Sequence, residues 1–159
     1  MALPYPFEFH ARDLWQYRTD PPAFKALIGS CAYFNDSIYD RPGKPYGSDY
    51  EIFESISKDE ADLMIWLGDN LYLNEADWNT MTGINYKYTQ ARSFPGLQPA
   101  LAKMSHYAIW DDHDYGPNDA DRSFIHKDKT YAAFQNFWGN PSYGANGKGG
   151  ITSMFSWSD

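Results

Sequence analysis

DLMIWLGDNLY, residues 62 to 72, is the stretch on which the fold turns. Leu63 to Leu67 is an unbroken apolar run of strand length, and such a run suits a strand buried on both faces of a sheet. Gly68 ends it, and Asp69 comes next. A carboxylate placed directly after a buried strand and a glycine is held at the edge of the sheet, where it needs a partner.

The same signal recurs on either side. Tyr107-Ala108-Ile109-Trp110 is a second strand candidate, followed at once by Asp111-Asp112-His113-Asp114. Upstream, Phe24 to Ile28 is a short strand closed by Gly29, with Ser30 and Cys31 beyond it. Helical patterns lie between these runs. Ser48-Asp49-Tyr50-Glu51 has the S-x-x-E form of a capping box, ahead of an apolar face of Ile52, Phe53 and Ile56. Tyr86 to Arg92 reads as helical up to the break at Phe94-Pro95-Gly96, and Leu97 to Met104 as a short helix weakened by Pro99. A polar loop is expected from Asp111 to Arg122, then a helix marked by Tyr131, Phe134 and Trp138 and stopped at Gly139-Asn140-Pro141. Strands alternating with helices at these lengths predict an α/β fold with a parallel sheet, whose ligands gather beyond the carboxyl ends of the strands. All three polar clusters, GSC at 29 to 31, GDNLY at 68 to 72 and WDDHD at 110 to 114, fall at such ends.

The 159 residues fit one domain, and 43% apolar with 18% aromatic content is ample for a core. Residues 1 to 22, with Pro4, Pro6, Pro21 and Pro22, read as an extended lead-in, leaving 23 to 159 as the domain. Met154-Phe155-Ser156-Trp157 reads as the opening of a further strand, so the domain is expected to be truncated at its C-terminus. A net charge of -8 argues against a nucleic-acid scaffold or an anionic membrane as partner, and favours a site that collects cations. The longest wholly apolar run, Leu63 to Leu67, is far short of a membrane span. The opening residues lack the basic and apolar regions of an export signal. One cysteine excludes an internal disulfide.

Taken singly, each polar residue has an ordinary explanation. Asp69 caps a turn, Tyr72 is a half-buried aromatic, Cys31 packs as a small apolar residue, and the aspartates from 111 to 121 form a solvated loop. His10, His106 and His126 stand alone and read as structural or exposed. Asp111, Asp112, His113 and Asp114, however, disturb one another's ionisation unless a positive charge lies among them. Cys31, Asp69, Tyr72 and Asp112 together offer soft sulfur and hard oxygen, a set that suits a transition metal such as iron beside a harder ion such as calcium. The calcium-loop pattern fails in every register, the Cys and His spacing of a zinc site is missing, and neither a phosphate loop nor a G-x-S-x-G elbow occurs.

In order, GSC, GDNLY and WDDHDYGPND resemble the PhoD-like alkaline phosphatases and phosphodiesterases of the calcineurin-type metallophosphoesterase superfamily, from about Phe24 to Pro141. That branch is marked by G-S-C, G-D-x-x-Y and D-D-H-E/D, and the chain matches each. The resemblance implies hydrolysis of phosphate mono- or diesters by a metal-activated water, on half of a four-layer α/β/β/α sandwich. It makes Asp69 the bridging ligand, puts Cys31 and Tyr72 on iron and Asp112 on a neighbouring calcium, and gives His113 the catalytic role at the leaving group or phosphoryl oxygens. Asp111 and Asp114 would orient the ligands, and Asn118 would face the phosphate. Later histidine-bearing loops of the family have no counterpart after His126, so activity is expected only in a longer parent, exported by family resemblance. The alternative is a non-catalytic domain that binds calcium or a partner; exposed sheet edges also permit self-association between chains.

Overall fold

The computed structural model describes residues 23–34, 50–144 and 150–156. Three strands, β1 (Ala26–Gly29), β2 (Leu63–Leu67) and β3 (Ser105–Ile109), form a parallel sheet in the order β1-β2-β3. Helix α1 (Glu51–Lys58) connects the first pair, and α2 (Met81–Arg92) and α3 (Gln98–Lys103) connect the second. After β3 come a single turn, α4 (Asp112–Tyr115), and a longer helix, α5 (Lys127–Phe137). The mixed α/β class and the parallel sheet are those expected of alternating strand and helix patterns.

Register explains which side chains are buried. Leu27, Met64 and His106 are neighbours across the sheet, as are Gly29, Trp66 and Ala108, so these residues share one face. Met64, Trp66 and Ala108 enter a core with Phe53, Ile84, Tyr88, Leu97, Ala100 and Phe134 from the helices. The opposite face differs from the expectation of two-sided cover. Ile28 is 65% exposed, and Leu67 and Ile109 are each 44% exposed. Among the described residues, the ring of Phe155 stacked 4.4 Å from Tyr107 is a contact on that face.

Other expectations need correction. Glu51 is the first residue of α1, behind a left-handed Tyr50 that makes no side-chain cap, so Glu51 is not the third residue of a capping box; Ser48 lies outside the described residues. Helix α2 begins at Met81, five residues before Tyr86, because Thr80 caps it by accepting from the Gly83 N–H and because Ile84, Tyr88 and Ala91 bury one stripe. Residues 151–156 are irregular, not strand. The outer edge of β3 is met instead by a side chain: Asn140 accepts from the Ala108 N–H at 2.9 Å and donates to the Ala108 carbonyl at 2.7 Å, standing in for a strand. No helix among the described residues is long and apolar enough to cross a membrane.

Candidate metal centre

The chain leaves all three strands at one rim, since Gly29 pairs with Trp66 and Leu67 with Ile109. Hydrogen bonds continue beyond the strands. Cys31 N–H donates to the Gly68 carbonyl at 3.2 Å, Ala32 N–H to the Asp69 carbonyl at 2.8 Å, and Leu73 N–H to the His113 carbonyl at 3.3 Å. The rim segments are thus tied to one another before any side chain is considered.

Their backbone is strained at two informative places. Cys31 has φ 58° and Asp69 φ 50°, in the left-handed region that costs a non-glycine residue roughly 1–3 kcal/mol and persists only when its surroundings hold it there. Gly68, at φ 96°, is required for a second reason: a Cβ on it would lie 2.7 Å from Asp111 Cβ and 2.9 Å from Asp111 N. The β2 and β3 rims touch at that point.

This backbone gathers the side chains around Asp69. Its Oδ2 accepts from the Tyr72 hydroxyl at 3.2 Å and faces the Cys31 thiol at 3.7 Å. Asp69, Asp112 and His113 each present a ligand atom, and those atoms lie within 4.8 Å of one another. The His113 ring packs 4.3 Å from that of Tyr72, which also meets Tyr33 edge-on at 4.9 Å. Burial, reinforced by Cys31 and Asp69, holds the Tyr72 phenol well above its ordinary pKa, so here it acts as a donor.

Behind them stands a buried carboxylate. Asp114 Oδ1 accepts from Asn70 N–H and its Oδ2 from Asp111 N–H, both at 3.0 Å, while Asp111 accepts from Asp112 N–H at 2.9 Å. Asp111 and Asp114 form a reciprocal capping box around α4, an ordered turn where a polar loop was expected. Burial pushes the Asp114 carboxyl up to about 7, against the amide bonds that favour its charged form. Asp112 Oδ2 accepts from the Asp119 N–H, which folds the following loop over the site. Asn118 is exposed and donates to Asp119 Oδ2 at 2.7 Å.

Asn70 belongs to this arrangement although sequence reasoning passed over it. Its Nδ2 donates to the Ile109 carbonyl at 2.8 Å, so both its backbone and its side chain clamp the β2 rim to the β3 rim. An amide between an acidic residue and an apolar one carries no pattern of its own; burial at 4% exposed is what marks it. His106 lies away from the rim, bonded to Trp66 and Ala100, and His126 sits edge-on to Phe124.

The donors fit a cation. Asp69 Oδ1 is buried with no hydrogen-bond partner among the described residues, an expensive condition for a carboxylate oxygen that a metal ion would relieve. Around it stand a thiol, a phenol, a second carboxylate and an imidazole, the mixed set that suits a transition metal beside a harder ion.

No protein-family model matches the chain, and no curated protein matches it. Among solved structures it is similar to one described as "Structure of PhoD", with a TM-score of 0.56 and 18% identity over 82% of this chain. The matched region spans 28% of that structure's chain. The likeness shows a shared fold: this α/β unit has the architecture of part of PhoD.

Proposed function

We propose, on a scaffold shared with part of PhoD, that this rim contributes the metal-binding residues of a phosphoesterase that hydrolyses phosphate mono- or diesters by attack of a metal-activated water. The observation that carries the reading is the convergence of Cys31, Tyr72, Asp112 and His113 on Asp69, one of whose oxygens is buried with no hydrogen-bond partner among the described residues. Asp69 would be shared by two cations, with Cys31 and Tyr72 holding the softer one, iron, and Asp112 the harder one, calcium. When bound, such a pair lowers the pKa of a water, neutralises phosphoryl charge and aligns in-line attack.

The chain's own groups do the rest. Asp114 and Asp111 keep α4 in register with the β2 rim, so that Asp112 and His113 stay opposite Asp69. His113 donates to a phosphoryl or leaving-group oxygen. Tyr72 would hold the metal through its phenolate oxygen, the proton it now donates to Asp69 leaving to solvent, and Asn118 would turn from Asp119 to the phosphate. Since the chain corresponds to 28% of the PhoD structure, we assign turnover to a longer protein that includes this unit.

Elemental analysis of the purified chain and of Asp69→Ala tests the assignment. Iron together with calcium in the parent, both lost in the variant, is the expected result; unchanged iron in Asp69→Ala removes Asp69 from the ligand set. Calcium alone, with no hydrolysis of an aryl phosphate by the longer protein, would favour a binding module instead.

A further inference from the structure

Cys31 sits where the chain has little to hold it. Gly29 ends β1, Ser30 is exposed, and Cys31 is itself exposed in left-handed backbone, a conformation that persists only where its surroundings impose it. Two bonds to the β2 rim, from the Cys31 N–H to the Gly68 carbonyl and from the Ala32 N–H to the Asp69 carbonyl, fix the peptides on either side of it. With Cys31 exposed and Ala32 half-buried, water competes for these bonds and each adds little by itself.

Phe34 supplies an anchor of another kind. It is the first large side chain after Cys31 to pack against the core. Its ring lies almost parallel to that of Phe53 of α1 at 5.4 Å, 6.0 Å from Tyr50, and 5.5 Å from Phe94 in the connection between α2 and α3. The neighbouring ring does not serve the same end: Tyr33, 38% exposed, meets Tyr72, itself one of the residues to be placed.

We propose that Phe34 is a positioning residue for the Cys31 thiol: lodged among Tyr50, Phe53 and Phe94, it holds the segment from Cys31 onward in the course that leaves Sγ 3.7 Å from Asp69 Oδ2. Only Ala32 and Tyr33 separate the two residues, and the Tyr33 N–H bonds back to the Cys31 carbonyl at 3.1 Å, so the tether is too tight to absorb a shift of the ring. Ring contacts and burial at Phe34 offset the backbone strain at Cys31. The functional meaning of this placement rests on the metal-centre reading above, because a ligand must be held to a fraction of an ångström whereas a merely packed cysteine need not be. The ordinary alternative is that Phe34 only fills space, in which case losing any ring of the cluster would disturb Cys31 alike.

Phe34→Leu and Phe53→Leu each remove one ring while keeping an apolar side chain, and of the two positions only Phe34 is tethered to Cys31. Native-state hydrogen exchange on the metal-free chain separates them. Phe34→Leu should quicken exchange at the Cys31 and Ala32 amides several-fold beyond its effect at Leu101 and Ala108, whereas Phe53→Leu should show no such excess. An equal change at all of these amides in Phe34→Leu, or the same excess at Cys31 and Ala32 in Phe53→Leu, would overturn the proposal. Where leucine leaves the fold too weak, Phe34→Met, whose flexible side chain fills the space without a ring, takes its place. Cobalt(II) then reads the thiol itself, since Cys31 is the sole cysteine and any thiolate-to-cobalt absorption must come from it. Phe34→Leu should weaken cobalt uptake followed by that band several-fold more than Phe53→Leu does, and equal weakening counts against Phe34. A parent chain with no such band would sink Cys31 as a ligand, while hydrogen exchange would still decide the role of Phe34.

Discussion

The Asn70 N–H donates to Asp114 Oδ1 at 3.0 Å, and this single bond links the turn after β2 to the turn after β3. The other oxygen of that carboxylate, Oδ2, takes the Asp111 N–H, so both carboxyl oxygens are committed to backbone amides. Asp114→Asn keeps the shape but turns one acceptor into a donor, leaving one buried N–H unsatisfied. We expect a loss of about 1–3 kcal/mol, read as a lower urea midpoint. Metal affinity should fall by about 10–100-fold, the usual effect of removing a group that orients ligands. A variant equal to the parent in both would show that the two rims do not depend on this carboxylate.

Gly68 makes the same contact sensitive to one added carbon. Alanine there would combine a left-handed backbone with a Cβ only 2.7 Å from Asp111 Cβ, neither of which can relax without parting the β2 and β3 rims. Gly68→Ala should destabilise by more than the 1 kcal/mol or so typical of point changes. Gly139→Ala, where an added Cβ meets nothing within 4 Å, is the control and should be near neutral. Thermal denaturation of the pair decides it, and equal melting temperatures would contradict the packing described.

His106 supplies the pH dependence. Its Nδ1 accepts from Trp66 Nε1–H at 3.0 Å, and its Nε2 lies 3.0 Å from the Ala100 carbonyl, so the neutral ring protonated at Nε2 satisfies both. Burial pulls its pKa below the ordinary 6.5, with the Arg92 charge adding to the effect. Above that value both folded and unfolded forms are neutral and the full stability is present. As pH falls from 6.5 toward the lowered folded value, the unfolded chain takes up the proton first and stability drops. His106→Gln should flatten the urea midpoint against pH across this window, and parallel profiles for parent and variant would dismiss the imidazole as the cause.

Much of this frame was legible in the sequence, because apolar runs report burial. Leu63 to Leu67 read as a strand with its observed bounds, and the polar clusters following the runs at 28, 67 and 109 leave the sheet on one side. What stayed hidden depends on the third dimension. Cys31 and Asp69 in left-handed backbone, Gly68 pressed against Asp111, and Asn70 serving two strands at once leave no periodic trace. Helix α2 was half seen, since Gly83 and Lys87 interrupt a stripe that only Ile84, Tyr88 and Ala91 reveal. The acidic run from 111 read as loop because adjacent like charges resemble a solvated turn; Asp111 and Asp114 instead cap one another's backbone. Phe155 read as strand from its apolar neighbours, whereas here it is a ring laid on Tyr107.

His113 presents the sharpest choice. Its ring nitrogen lies among the ligand atoms of Asp69 and Asp112, and its ring packs against Tyr72, so the geometry permits either ligation or donation to a phosphoryl oxygen. The two roles separate on replacement. Ligation predicts that His113→Ala lowers metal content along with any hydrolysis. Donation, the role we assign, predicts that both metals remain while hydrolysis of an aryl phosphate by the longer protein falls by about 10²–10⁴-fold, the usual contribution of a positioned proton donor. A poor leaving group should suffer more than a good one, because it needs the proton more as its bond breaks. Metal content measured beside rates for two esters of different leaving-group acidity decides between them. Loss of metal, or an equal rate loss for both esters, would remove His113 from the role of donor to the leaving group.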